Sequence, residues 1–420
     1  DSNPIMYWRI SKSDNDASGD ILGDQAAHSN YNLINDPDSP TTHDRLVPKS
    51  ALITQWQTGT VGGEEDTIVL PFRDNVDIRV YWGNGETENF SGTSDVSHAY
   101  SESGLNLVVA RGDLSGWNIG NHPHFNDISG NLRDMIQLGG RAEGLRMANE
   151  SGAWKDCSAM VWSATDDPSM NGVNTMADWF MNCASFDGDL STWDTANVED
   201  LQDTFRLCTS FNNDSLANWN VDSITTLEAT FRDASLFNGN ISAWRPGIPA
   251  LTTNMSHTFD GARSFNSDIS CWFRDYEFGA LTNMEATFRE AEAFNQDLSW
   301  NVNEVTTMAE TFSGAIAFNK NISNWRPAKC VSMNDMFSGT RGMTSTDISQ
   351  WTTSSLKTMQ NMFADSAYNN PLNGWDVSGV RNMSETFAGA TSFNQDLYSW
   401  VTSSVTTMRS MFQNATAMQG

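Results

Sequence analysis

The chain has 420 residues, enough for about two or three domains, and its 52 acidic and 24 basic residues give a formal net charge of −28. This acidity excludes nucleic acid as an expected partner, because binding to phosphates requires a basic surface. No apolar run is long enough to span a bilayer, and the abundance of asparagine, serine, threonine, glycine, methionine and tryptophan is typical of extracellular repeat proteins. We therefore expect a secreted or cell-surface protein, with Asp1 following a signal that has been removed.

Residues 1–65 are polar and rich in turn-forming residues, so we expect an N-terminal arm that is disordered alone or adds a strand to a neighbouring subunit. Within this arm, oxygen-bearing side chains at alternate positions around a glycine match the first half of an EF-hand-like calcium loop. The candidate calcium ligands are Asp14, Asp16, Ser18, Asp20, Asp24 and Gln25. Gln25 stands where such a loop usually has a bidentate glutamate, so a surface turn without metal is the alternative.

Residues 66–112 alternate between apolar and polar in three runs, which predicts β-strands, and a Gly-Asn-Gly turn separates two of them. The phrase Val80-Tyr-Trp-Gly-Asn-Gly-Glu, followed by His98-Ala-Tyr, resembles the PKD-type β-sandwich module. That module usually has an aspartate where this chain has Asn84. The resemblance implies a PKD- or immunoglobulin-like β-sandwich that acts as a spacer or presentation domain rather than as an enzyme.

Residues 113–175 carry apolar residues, among them Leu132, Ile136, Trp154 and Met160, that look like irregular first copies of the repeat that follows. A stack of repeats needs a cap, because its terminal repeat would otherwise expose an apolar face. We expect this segment to be the transition between the two regions and the N-terminal cap of the stack.

Residues 176–420 repeat one pattern of about 25 residues. Each copy reads Met-x-x-Thr/Met-Phe, then x-x-Ala-x-x-Phe-Asn-x-Asp-Leu/Ile-Ser-x-Trp, and a polar link leads to the next copy. The first phenylalanines of the copies are Phe180, Phe205, Phe231, Phe259, Phe288, Phe312, Phe337, Phe363, Phe387 and Phe412. These ten copies, spaced 24–29 residues apart, predict a solenoid, because one copy alone is too small to bury its apolar face.

Within the first copy, Met176, Phe180, Cys183 and Phe186 are spaced i, i+4, i+7 and i+10, which places them on one face of a helical turn or short helix. The segment Leu190–Trp193 then reads as a strand. We therefore predict an α/β repeat solenoid of the leucine-rich-repeat type, with one short strand and one helical turn per coil. The asparagine after the second phenylalanine recurs in most copies, and we expect its amide to hydrogen-bond from rung to rung.

The repeated phrase is similar to the surface-protein repeat of the BspA-like leucine-rich-repeat family, which is also abundant in mycoplasma lipoproteins. Residues 284–300 and 383–400 carry it best, and the resemblance covers about residues 145–420. It implies a surface-exposed, extracellular protein used for adhesion, partner binding or structure, and we expect its partner to be a protein, a cell-surface or matrix ligand, or the chain itself. Insertions in a solenoid fall on one face, so the longer links at Arg245–Thr253 and Phe273–Thr282 are the candidate contact loops.

Three cysteines, Cys157, Cys183 and Cys208, occupy one position of successive copies. Neighbouring rungs at strand spacing bring such residues close enough for a disulfide. One pair at most would form, either Cys157–Cys183 or Cys183–Cys208, and the alternative is three thiols that fill the apolar interior.

Eight Asn-x-Ser/Thr sequons are candidate glycosylation sites if the chain is secreted from a eukaryotic cell. They are Asn89, Asn149, Asn213, Asn240, Asn254, Asn321, Asn382 and Asn414. Sequons also arise by chance in a chain so rich in asparagine, serine and threonine.

No nucleophile elbow, zinc-protease motif, phosphate-binding loop or dinucleotide fingerprint occurs. We therefore expect a non-enzymatic protein, with calcium as its one candidate cofactor, that presents its solenoid for adhesion or protein binding. The alternative is a subunit that assembles with itself into an extracellular filament or surface coat, through head-to-tail stacking of solenoids or exchange of N-terminal arms.

Overall fold

The computed structural model describes residues 10–11, 31–35, 43–59, 66–93, 95–246, 253–273 and 281–418. The chain divides into two compact units. The first comprises Asp1–Trp117, His122–Ala148 and Trp162–Asn171, and the second Asn118–Asn121, Asn149–Val161 and Gly172–Gly420. The candidate calcium ligands at positions 14–25 lie outside the described residues, as do the central parts of both candidate contact loops, residues 247–252 and 274–280.

The first unit is a mixed β region with two main sheets. Strands β1 (Ile10–Ser11), β2 (Tyr31–Asn35) and β3 (His43–Pro48) form an antiparallel sheet in the order β1–β3–β2. The larger sheet contains β4 (Leu52–Gln57), β6 (Val76–Tyr81), β7 (Thr87–Thr93), β9 (Leu105–Asp113), β11 (Leu132–Gln137) and β13 (Val161–Trp162). Its strand order is β13–β11–β4–β9–β6–β7. Strand β6 alternates as a one-sided sheet requires, because Val76, Ile78 and Val80 are buried while Asp77 and Arg79 are exposed.

The larger sheet begins before residue 66, where the sequence analysis placed its start. Strand β4 lies within the predicted N-terminal arm, yet it pairs along its whole length with β9 and also with β11. Ile53 and Trp56 in this strand are fully buried. The Nε1 of Trp56 donates to the hydroxyl of Thr54, which is also buried, at 2.7 Å. This buried threonine interrupts the apolar pattern, which explains why the sequence did not indicate a strand here.

Residues 113–175 do not form one continuous cap. Strand β11, which the sequence analysis placed in the cap, is instead a strand of the larger sheet beside β4. The segments 118–121 and 149–161 belong to the second unit. There, Gly120 N–H donates to Gly152 O at 2.8 Å, and Trp154 N–H donates to Trp179 O at 2.7 Å.

Shorter elements complete the first unit. Strand β5 (Asp66–Leu70) pairs antiparallel with β8 (Val96–Tyr100), and β10 (Ser115–Trp117) pairs in parallel with β12 (Arg146–Met147). The helices α1 (Phe125–Ser129) and α2 (Gly140–Glu143) are one turn long. None of the helices in the described part of the chain has the length and apolar character that crossing a bilayer demands.

The second unit is a repeated, aromatic-rich region with little helix, joined by a ladder of backbone hydrogen bonds. Phe180 N–H donates to Thr204 O at 2.9 Å in the next repeat, while Met181 N–H donates to Asp178 O at 3.1 Å in its own repeat. This alternation recurs in successive repeats. The regular elements described in this unit are β14 (Thr253–Asn254), β15 (Leu281–Asn283) and a 3₁₀ turn at Ser215–Asn218.

The segment from Met176 to Phe186 is not helical, so the predicted helical turn is wrong. Its N–H groups donate alternately to the next repeat and to the residue three positions earlier, which makes a series of β-turns. The third residue of two such turns has a positive φ, at Asp178 (59°) and Asn182 (60°), as type II turns require. The side chains that were predicted to face inward are nevertheless buried, because successive turns place every third or fourth side chain on the same side of the segment.

The predicted strand at Leu190–Trp193 is also misplaced. That segment is a turn in which Trp193 N–H donates to Leu190 O at 3.2 Å. The extended residue of each repeat instead precedes the first methionine or leucine, where parallel bridges join Thr175 to Asp200 and Asp200 to Thr226. Equivalent bridges continue through residues 254, 283, 307, 332, 358, 382 and 407, with β14 and β15 pairing in parallel between 254 and 283.

Columns of stacked aromatic rings form the core of the second unit. Consecutive rings of the ten anchor phenylalanines have centroids 5.4–5.7 Å apart and planes within 16° of parallel. A second column runs beside it through Phe186, Phe211 and Phe237, and a tryptophan column through Trp219 and Trp244. The core is thus continuous across repeats, and each repeat depends on its neighbours for burial.

Polar side chains repeat in register with these columns and satisfy the turns. The Oδ1 of Asn212 accepts from Asn238 N–H at 2.8 Å, and that of Asn238 accepts from Asn266 N–H at 2.7 Å. This confirms the predicted hydrogen bonding of asparagines from rung to rung. The indole Nε1 of Trp300 donates to Ile269 O of the preceding repeat at 3.0 Å, and equivalent bonds join seven other tryptophans to the repeat before them. Buried polar groups therefore help to set the register between repeats.

Candidate functional site

The eight sequons differ in the surroundings of their amide nitrogen, which is the atom that would carry a glycan. Five are exposed: Asn89, Asn149, Asn240, Asn321 and Asn414. In the other three, Nδ2 donates to a side chain of the preceding repeat. These pairs are Asn213–Asp187 (2.8 Å), Asn254–Glu228 (2.9 Å) and Asn382–Gln360 (2.9 Å). A glycan at these three would compete with contacts between repeats, so the five exposed sequons are the stronger candidates.

The cysteine column is buried, and its middle member is a free thiol. Cys183 Sγ donates to Trp154 O at 3.0 Å, and Cys208 Sγ donates to Phe180 O at 2.9 Å. Because Cys183 belongs to both candidate disulfides, neither bond is present in this structure. Burial raises the pKa of the Cys183 and Cys208 thiols well above the usual range, and the neighbouring sulfurs raise that of Cys183 further. Such thiols are poor nucleophiles.

We expect all five cysteines to titrate as thiols when protein purified without reductant is unfolded in guanidinium. One disulfide would leave only three thiols.

In the native protein, half-buried Cys271 should react first with a thiol reagent. The buried thiols should react more slowly with the reagent. They include Cys330, because burial raises the pKa of its thiol to about 12. A Cys271→Ala variant should lose the fast phase, and retention of that phase would contradict this assignment.

A cluster of charges lies on four successive repeats of the second unit. Arg232, Asp260 and Arg289 each follow an anchor phenylalanine, so they occupy one column. The Nε and Nη2 of Arg289 donate to the two carboxylate oxygens of Asp260 at 2.8 and 2.6 Å, and Arg232 Nε lies 3.4 Å from the same carboxylate. The imidazole of His257 approaches it at 2.9 Å, and Arg289 also donates to Glu310 at 2.5 Å. We call these five residues the charged cluster.

Asp260 is the centre of the charged cluster. Its side chain is only 5% exposed. Burial alone would raise the pKa of Asp260, but hydrogen bonds from His257 and Arg289, together with the charges of Arg289 and Arg232, outweigh it and lower the pKa. The hydrogen bond to Asp260 raises the pKa of the Arg289 guanidinium. Burial opposes this rise, and the hydrogen bond to Glu310 adds to it. Both side chains are therefore fixed in their charged forms.

A cavity of about 410 Å³ opens beside the charged cluster. Seven residues line it: Arg232, Asp233, Asp260, Gly261, Arg263, Arg289 and Glu290. Gly261 has a φ of +70°, and a Cβ at this position would lie 2.4 Å from Asp233 Oδ1. The missing side chain at Gly261 thus leaves room for the carboxylate of Asp233. This lining offers guanidinium donors and carboxylate acceptors to the charged groups of a ligand.

This cavity was not predicted from the sequence, although a signal for it exists. An arginine, an aspartate and an arginine follow three consecutive anchor phenylalanines, in a chain that has few basic residues. Residues of the candidate contact loops that are described, such as Arg245, do not line the cavity. Arg245 instead donates to Trp244 O at 2.7 Å and to Cys271 Sγ at 2.9 Å.

Comparison with known proteins identifies the repeat. A family model described as "Mycoplasma protein of unknown function, DUF285" matches residues 149–272, 253–366 and 341–420. No curated protein matches the chain. The three family matches together cover residues 149–420, which is 272 of the 420 residues and agrees with the repeat resemblance stated from the sequence. The chain therefore belongs to the DUF285 repeat family.

Proposed function

We propose that the chain is a non-enzymatic, extracellular or cell-surface binding protein. In this proposal the second unit is a leucine-rich-repeat-like solenoid, and the first unit is a PKD-like β-sandwich that presents it. Membership of the DUF285 family and the ladder of equivalent hydrogen bonds support the solenoid. The strands predicted in residues 66–112 occur as β5, β6 and β9, which supports a β-sandwich.

The observation that carries the proposal is the cavity beside the charged cluster. In most of the second unit, the aromatic, methionine and threonine side chains pack in the core or bond to the neighbouring repeat. Around this cavity, by contrast, three successive repeats bring arginine and carboxylate side chains together on the surface. Repeat proteins bind partners over surfaces that several repeats build together.

The chemistry of the lining defines the partner. Arg263 is 61% exposed and Glu292, its ion-pair partner at 3.0 Å, is 39% exposed, so both can exchange this weak contact for one with a ligand. Arg232 and Arg289 are held by Asp260 and present fixed donors. We infer that the partner is a protein surface with carboxylate groups that meet these arginines.

We expect Arg263→Glu to weaken binding by about tenfold, roughly 1.4 kcal/mol in total, because it replaces a weak attraction with a weak repulsion at the edge of the interface. The assay measures saturable binding of purified chain to immobilised matrix proteins, to intact cells and to the chain itself. Arg341→Glu is the matched control, since Arg341 occupies the same repeat position and is exposed but does not line the cavity.

Two outcomes would contradict the proposal. One is the absence of saturable binding to every surface tested, and the other is an equal loss of binding in the Arg263→Glu and Arg341→Glu variants. Saturable binding to the chain itself, unaffected by either variant, would favour the self-assembling filament or coat subunit instead.

A further inference from the structure

The imidazole of His98 in strand β8 is held rigidly in the first unit. Its side chain is only 7% exposed. The ring stacks on Trp82 with centroids 5.1 Å apart and planes 14° from parallel, and it meets the ring of Tyr100 edge-on at 4.8 Å. Tyr100 is itself fixed, because its hydroxyl donates to Trp82 O at 2.6 Å. The ring nitrogens of His98 therefore have defined directions.

The hydrogen bonds around His98 determine which ring nitrogen carries the proton. Asn84 Oδ1 accepts from Glu86 N–H at 3.0 Å, so the amide group of Asn84 faces His98 Nε2, at 3.0 Å. An amide NH₂ can only donate, hence Nε2 is the unprotonated nitrogen. Nδ1 then carries the hydrogen and donates it to Glu88 Oε1 at 2.8 Å. A carboxylate behind Nδ1 is the arrangement that orients metal-binding histidines in many proteins.

A second ligand atom lies on the Nε2 side. Glu86 Oε2 is 3.6 Å from His98 Nε2, which is too long for a hydrogen bond. Two atoms that share one ion in tetrahedral geometry, each about 2.0–2.1 Å from it, lie about 3.3–3.4 Å apart, so a shift of a few tenths of an ångström would let this pair hold an ion. One ligand atom from each of Glu86, Glu88 and His98 lies within 4.8 Å of the other two. Glu86 is 64% exposed, so water can complete the coordination.

We propose that His98 Nε2 and the Glu86 carboxylate bind a divalent transition-metal ion of the zinc type, with Glu88 orienting the imidazole. The Asn84 amide turns away from Nε2 when the ion binds, and because Asn84 is exposed, water can replace the hydrogen bonds that it gives up. Imidazole nitrogen favours zinc and its neighbours over calcium and magnesium, which prefer oxygen ligands. The site lies wholly in the first unit and does not depend on the proposed binding function.

The test is calorimetric titration of the whole chain with zinc chloride at pH 7.5. We expect one saturable site. Glu86→Gln should weaken binding more than tenfold, and Glu88→Gln by about 10–100-fold through loss of the orienting carboxylate. Calcium in millimolar excess should not displace the zinc.

Controls separate this site from the general acidity of the surface. Glu102→Gln removes an exposed carboxylate of the same unit that is outside the cluster and should bind zinc as the parent chain does. His124→Gln tests the pair His122 and His124, whose rings lie 5.7 Å apart. Zinc binding that survives Glu86→Gln, or that is lost in His124→Gln, would overturn the proposal. Glu86 is exposed, so its variant should fold and keep the test decisive.

Discussion

Replacing Phe288 with alanine is expected to lower the free energy of unfolding of the second unit by about 3–5 kcal/mol, the range for deleting a fully buried phenyl ring. The ring is 0% exposed. It stacks on Phe259 and Phe312 in the adjacent repeats and on Phe294 in its own, with centroid distances of 5.7, 5.4 and 4.1 Å. The cavity left by alanine would therefore interrupt the anchor column and remove the packing partner of Phe294.

The measurement is urea denaturation of the parent chain and variants, followed by tryptophan fluorescence. Phe412→Ala is the matched control, because Phe412 belongs to the same column but is 38% exposed. We expect Phe412→Ala to lower the unfolding free energy by less than half as much as Phe288→Ala, since the ring of Phe412 buries less apolar surface. Equal destabilisation by the two variants would contradict a core that is continuous across repeats.

The inward-facing residues of the second unit could be predicted from the sequence because burial follows apolar spacing. Met176, Phe180, Cys183 and Phe186 are all buried, as expected. Their local conformation could not be derived in the same way, because helices and stacked turns place apolar residues at similar intervals. Whether the segment forms a helix or stacked turns depends on hydrogen bonds to residues about 25 positions later. A local sequence pattern does not contain that information.

A weaker signal for turns was nevertheless present. The positive φ angles fall at two positions of each repeat, often filled by aspartate, asparagine or glycine, as at Asp178, Asn182 and Gly339. These residue types tolerate the left-handed conformation best and are unfavourable within a helix. Alanine and leucine also occur there, at Ala229 and Leu207, so the composition alone is not decisive.

The candidate sites were harder to predict than the core, because each combines residues distant in sequence. Asn84 departs from the PKD-type pattern and His98 belongs to it, but nothing in the sequence predicts that their side chains are in contact. Their contact arises because the turn after β6 and the strand β8 lie side by side in the first unit. The charged cluster likewise depends on the stacking of four repeats, which for example brings Arg289 and Asp260 together across 29 positions.

Replacing Asp260 with asparagine is expected to lower the unfolding free energy at pH 7 by roughly 2–4 kcal/mol, since the buried carboxylate is the shared partner of two arginines. The value is below that for a fully buried pair because Arg232 and Arg289 are about 30% exposed and keep part of their hydration. Asp268→Asn is the matched control in the same repeat. Asp268 is exposed and accepts a hydrogen bond from Ser270 in its own turn, so its loss should matter much less.

The pKa of Asp260 determines how the effect of Asp260→Asn on the unfolding free energy changes with pH. The pKa of Asp260 is lower in the folded chain than the value of about 3.9 in an unfolded one. Its stabilising effect is therefore fully present above pH 5 and is lost as the pH falls through the folded pKa. The difference in unfolding free energy between the parent chain and Asp260→Asn should shrink as the pH is lowered from 5 towards 3. A difference that stays constant over this range, or grows, would show that the carboxylate charge at Asp260 does not hold the cluster together.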